Sequence, residues 1–206
     1  MPTKKRERWT EEDILSLPKG EQDFFERKSW AIITKDSFDN DLAKALCAFA
    51  NSGGGHLIIG VTDEGVIDGV PETVKGGVSV KDWVEQKIPR LLNYPLQDFR
   101  VHEVEPSATT NIPTGRVILV IDVGDSPLSP HQTAGTRTYF YRPGGRSEPA
   151  PHFFLDLLWG RQNRFPGQKV ARAWLDVITG LMNQLYFQRD HLDRGRRSWD
   201  GRISGM

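Results

Sequence analysis

Arg137, Arg142 and Arg146, with Tyr139 and Tyr141 interleaved, bring together two kinds of chemistry that a nucleic acid requires. Guanidinium forks grip phosphates, and flat rings stack on bases. A solvated strand face explains the same pattern equally well, since charged side chains are mostly exposed. Arg27, Lys35 and a basic tail could extend such a surface. Glu26 and Lys28, two apart on one strand face, make an ion pair of the ordinary exposed kind. The run Asn51-Ser52-Gly53-Gly54-Gly55 could offer backbone N–H groups to a phosphate. It lacks the Gly-Lys-Ser/Thr ending of a P-loop and follows a helix instead of opening one, so it reads as a tight helix-to-strand link. Cys47, the single cysteine, lies in the apolar run Leu46–Ala50 and reads as a buried, inert thiol. His56 opens an apolar strand and reads as structural, His131 is assigned no catalysis, and no Ser-His-Asp grouping has an interpretable context.

These residues must be positioned by alternating helices and strands. Thr10-Glu11-Glu12-Asp13 before Ile14 and Leu15 has the form of a capping box for a short helix, closed by Pro18 and Gly20. Residues 23–28 have strand character. Leu42, Ala45, Leu46 and Phe49 form one stripe of a helix over residues 38–51, which the glycine run ends. Leu57 to Val61 reads as a strand buried on both faces. Asp63-Glu64-Gly65 is a turn. A helix is expected over 80–92, with Pro89 tolerated late, and strands over 99–105, 116–123 and 137–141. The result is an α+β protein: a mixed, twisted β-sheet flanked by helices, with a C-terminal helical extension. A first domain is expected over 1–151 and the extension over 152–206. In the latter Val170, Trp174, Val177 or Ile178, Leu181 and Leu185 repeat at helical spacing, and that stripe calls for a partner, either the sheet domain or a second copy of the chain.

The 206 residues carry 27 Lys plus Arg against 27 Asp plus Glu, so any basic surface must be local. From residue 161 onward there are nine Lys or Arg against four Asp, making the tail basic. Polar residues follow the basic opening where a secretory leader would be apolar, and no window has the length of a membrane span. The expected location is cytoplasmic, with no membrane partner.

Four segments in order resemble the AlbA_2 family, the domain that also forms the Schlafen core. They are Glu21-x4-Glu26-x-Lys28; Ala48-Phe49-Ala50-Asn51 with its glycines, strand and Asp63 turn; residues 117–123 followed by Ser126-Pro127-Leu128-Ser129-Pro130; and Thr138-Tyr139-Phe140-Tyr141-Arg142-Pro143-Gly144-Gly145-Arg146-Ser147. The resemblance covers about residues 14–150. It implies a nucleic-acid-processing domain, in the manner of Schlafen nucleases a divalent-metal-dependent endoribonuclease acting on structured RNA such as transfer RNA. Its alternative is a non-catalytic DNA- or RNA-binding module or transcriptional regulator. The nuclease reading makes Glu21, Glu26 and Asp63 the catalytic group and the ligands of Mg²⁺ or Mn²⁺, because phosphodiester hydrolysis needs an activated water and a neutralised phosphate, and hard oxygen donors hold such ions. Lys28, Arg137, Tyr139, Arg142 and Arg146 would contact the nucleic acid. Relatives often carry two consecutive acids at the turn, and here Thr62 stands at the first position. Glu21 and Glu26 can converge only if the chain turns near residues 20–22, since strand residues five apart face opposite ways. The Schlafen core is similar to two lobes around a groove, which for this single copy implies a homodimer or higher homo-oligomer.

Overall fold

The computed structural model describes residues 6–162 apart from 21, 75 and 108. The chain divides into compact units of residues 1–159 and 160–206. The apolar stripe of residues 170–185, the basic tail and the dimer expectation tied to them lie outside the described residues.

The capping box forms as expected. Thr10 caps helix α1 (Glu11–Leu15), its hydroxyl accepting from the Asp13 N–H while the Asp13 carboxylate accepts from the Thr10 N–H at 2.9 Å. Gly20 then takes a positive φ of 84° before strand β1 (Phe25–Lys28). A 3₁₀ turn (Trp30–Thr34) leads to α2 (Phe38–Asn51), which is buried along most of its length. Next come β2 (Gly55–Ile59), the short β3 (Val70–Pro71) and α3 (Val80–Lys87). The helix expected to reach residue 92 stops at Lys87. Pro89 has no N–H to donate, and the chain tightens into a 3₁₀ turn (Ile88–Arg90) before β4 (Leu92–Asn93). Strands β5 (Phe99–Val104) and β6 (Arg116–Val123) follow, then the two-residue strands β7 (Gln132–Thr133), β8 (Phe140–Tyr141) and β9 (Glu148–Pro149), and finally α4 (His152–Gln162).

The fold is α+β around a mixed sheet. β1 pairs parallel to β2; β2, β3 and β5 all pair antiparallel to β6, the central strand. Alternation along the strands separates two cores. Leu57, Ile59, Val101, Leu119, Ile121 and Val123 pack with α2 and α3. Ile58, Val104, Ile118 and Val120 pack with Phe25, Trp9 and Ile14 on the other side. Covering both faces explains why β2 is apolar throughout. Among the described residues no helix is long and apolar enough to cross a membrane.

The helix-to-strand link is tight for a visible reason. A Cβ at Gly55 would stand 2.1 Å from the Phe49 ring and 2.9 Å from the Phe24 carbonyl oxygen. Gly55→Ala should therefore overpack the junction and cost about 1–3 kcal/mol, read as a lowered urea midpoint with an unchanged slope.

Candidate functional site

β1 is an edge of the sheet, and the cleft beside it encloses about 650 Å³. Period-two alternation turns Glu26 and Lys28 toward the α2 side, while Phe25 and Arg27 enter the opposite core. Lys28 from β1, Lys35 from the end of the 3₁₀ turn, Asp41 and Lys44 from α2, Asp63 from its turn, and Arg146 from the β8–β9 connection all line this cleft.

Its centre is a pair of charges that neutralise one another. Arg142 has a side chain only 1% exposed, and Glu26 one of 18%. An Arg142 Nη1–H donates to Glu26 Oε2, and Lys28 Nζ lies 2.9 Å from Oε1. The remaining donors of Arg142 go to Ser147 Oγ at 3.0 Å and to the carbonyls of Gln22, Asp23, Phe25 and Gly145. Burial pushes the Glu26 carboxyl up, but Lys28 and then Arg142 outweigh it, so the group sits below its ordinary value of 4.5. Burial likewise pulls the Lys28 ammonium down, and Glu26, Asp63 and Asp41 together raise it.

The expected site residues are redistributed by this geometry. Glu21 lies outside the described residues; of its neighbours, Gly20 is left-handed and Gln22 bridges to Phe25. Glu26, Lys28, Asp63 and Arg146 share the cleft. Arg142 is corrected from a nucleic-acid contact to a positioning group, because its guanidinium donors are consumed inside the chain. Arg137 does not continue a strand. It adopts φ 52° in an exposed turn closed by Thr133, whose carbonyl accepts the Arg137 N–H at 3.0 Å, and it does not line the cleft. Tyr139 is half-buried edge-on against Trp159 at 6.1 Å, and Tyr141 packs on Phe154 at 4.8 Å, so both rings are engaged by α4 and are not free to stack. Among the described residues no three His, Cys, Asp or Glu side chains are grouped to hold an ion. Both oxygens of Glu26 already accept from cationic donors, so as folded Glu26 is not open to Mg²⁺ or Mn²⁺.

Several residues position the site through side chains to which the sequence assigned no such part. Asn51, buried at the end of α2, donates Nδ2–H to the carbonyls of His131 and Phe140 and accepts the His131 N–H at 2.7 Å through Oδ1. It pins the segment carrying Arg142 to the helix. The signal available was a polar residue closing an apolar run, since a buried amide needs partners. Ser52 Oγ accepts the Arg142 N–H at 3.0 Å. The exposed Lys44 had no pattern to mark it, since only the fold brings α2 alongside β1.

Two other polar clusters are closed to solvent. Cys47 is buried, and burial pushes its thiol up to about 12. Such a thiol stays protonated and unreactive in the native state. His131 is fully buried, with Nδ1–H donating to the Tyr94 carbonyl at 2.9 Å and Nε2 2.6 Å from Ser126 Oγ. Ser126 is itself 3% exposed, so this serine–histidine pair braces the loop and meets no substrate.

A mixed-sheet α+β domain with a charge-lined cleft on its edge strand is the class that fold and site define together. The chain belongs to the Schlafen, AlbA_2 family, whose pattern matches residues 21–151. The crystal structure of the DIP2311 protein from Corynebacterium diphtheriae is similar with a TM-score of 0.50 and 21% identity, over 74% of this chain and 31% of that one. That likeness concerns the fold alone, and this chain spans about a third of that protein's length. No curated protein matches the chain.

Replacing Glu26 by Gln should destabilise the domain by about 3 kcal/mol at pH 7, because the buried guanidinium of Arg142 loses its counter-charge. A carboxylate depressed in the folded state contributes stability above its unfolded value near 4.5, and that contribution is lost as pH falls through the lower folded value. Denaturant melts between pH 7 and pH 3 should show the gap between wild type and Glu26→Gln narrowing below pH 4.5. A constant gap would remove Glu26 from the ion pair.

Proposed function

We propose that the cleft beside β1 is a nucleic-acid-binding site and that the chain serves as a DNA- or RNA-binding module of its family. One observation carries this reading. Lys28, Lys35 and Lys44, from three different elements, line one cleft with Arg146, and the acid at its centre is already neutralised by Arg142 and Lys28. Lys35 and Lys44 are exposed and make no ion pair among the described residues. Carboxylates repel phosphates unless a cation intervenes, and here the cations belong to the protein. A chain with no net charge can thus still present a local positive field.

The second reading, a metal-dependent endoribonuclease acting on structured RNA such as transfer RNA, is favoured by Glu26 and Asp63 lining the same cleft. It requires Glu26 to be released from Lys28 and Arg142. Incubating the full chain with transfer RNA and Mn²⁺, with and without chelator, separates the two. Chelator-sensitive fragments that vanish in Asp63→Asn support the nuclease. Retention without cleavage supports the module.

For the binding reading, the Lys35→Gln, Lys44→Gln double variant should keep its thermal midpoint and lose about tenfold in affinity for a labelled oligonucleotide at low salt, as two phosphate contacts disappear. Fluorescence anisotropy measures this. Undiminished affinity would place the binding surface elsewhere.

A further inference from the structure

The kind of recognition this cleft can perform follows from what lines it and what does not. Its polar lining consists of ammonium and guanidinium groups, carboxylates and the hydroxyls of Ser29 and Ser147. Among the described residues lining it Phe25 is the single aromatic one, and that ring is 1% exposed and covered by the guanidinium of Arg27 at 4.7 Å. Phe24, 40% exposed, packs edge-on against Phe25 and is not part of the lining. The two tyrosines that the sequence offers as stacking platforms are turned onto Phe154 and Trp159. Sequence-tolerant single-strand binders ordinarily combine a basic groove with aromatic platforms, each stacked base adding to affinity. Base-edge reading, by contrast, uses forked arginines or amides aimed at a groove floor. Here Arg142, the fork nearest the centre, is spent internally, Arg146 is exposed but already has a partner, and the exposed Lys35 and Lys44 are point charges on flexible stems.

We propose that the cleft binds the phosphodiester backbone of a nucleic acid and leaves its bases unread and unstacked. This rests on the nucleic-acid reading above and goes beyond it: the ligand is the repeating phosphate anion, and any preference for sequence must come from elsewhere. The physical consequence is that affinity is set by counterion release. For three lysine contacts on a single strand, the logarithm of the binding constant should fall with the logarithm of salt at a slope of roughly −2. That slope should be shared by every sequence of equal length.

The experiment uses the full chain and single-stranded 12-mers of oligo-dT, oligo-dC and mixed sequence, one set carrying 2-aminopurine at its centre, titrated by anisotropy from 50 to 200 mM NaCl. Inorganic polyphosphate of matched charge serves as a competitor without bases. The expected result is affinities within about threefold of each other, parallel salt slopes, unchanged 2-aminopurine emission on binding, and displacement by polyphosphate. The Lys35→Gln variant should flatten the slope by about 0.7 equally for all sequences. A tenfold preference among the 12-mers, quenching of 2-aminopurine, or failure of polyphosphate to displace bound strand overturns the backbone assignment while leaving the cleft a nucleic-acid site. No binding of any 12-mer at 50 mM NaCl overturns both.

Discussion

The guanidinium of Arg142 holds together parts of the chain that are otherwise unrelated in sequence. It reaches back to the turn at Gln22 and Asp23, across to Glu26 on β1, and forward to Gly145 and Ser147. Taking such a charge out of water is expensive unless it is paired and its donors are filled, and here both conditions hold. The same contacts fix the bend of the chain into β1, the direction of Glu26 and the course of the loop that carries Arg146. Remove the guanidinium and the cleft loses one wall together with its floor. The arginine shapes the cleft through contacts within the chain.

How far this was legible in the sequence depended on the range of the interaction. Local rules worked: the Thr10–Asp13 capping box, the full extent of α2 and the apolar β2 followed from neighbours a few residues apart. The α+β mixed sheet followed from their order. Long-range competition defeated the rest. Arg137 and Tyr139 alternate like a strand, yet the hydroxyl and backbone of Thr133 capture Thr138 and Arg137 in a turn, so the ladder begins only at Phe140. Arg142 has the residue type of a phosphate contact, and nothing within ten positions announces that Glu26 and the carbonyls of residues 22–25 will absorb it. Lys44 looks like any exposed position on a helix until α2 is laid beside the sheet edge.

The cleft also illustrates why formal charge counts are poor guides to local function. Glu26, the acid whose spacing attracts attention, is balanced by two cations, and Asp63 lies within the field of Arg27 and Lys28. Lys35 and Lys44 are exposed and make no ion pair among the described residues, so their field reaches solvent, where added salt screens it. Neutral composition and a positive edge are compatible because, among the described residues, six Lys or Arg side chains line this cleft against four Asp or Glu.

On the far face of the sheet, Asp122 of β6 is fully buried and accepts from the Trp9 indole at 3.0 Å, with His56 Nδ1 and His102 Nε2 at 2.8 and 3.1 Å. Burial pushes this carboxyl up, but His56 and Trp9 hold it below the usual aspartate range. Trp9 and Ile14 belong to the same core. The span shared with the family begins only at residue 21, so the homologous region and the cooperative folding unit have different limits. A fragment cut to the family boundaries would strip Trp9 and Ile14 from the second core, take the indole partner from Asp122 and open that apolar face to water, leaving an aggregation-prone sheet where a whole domain was intended.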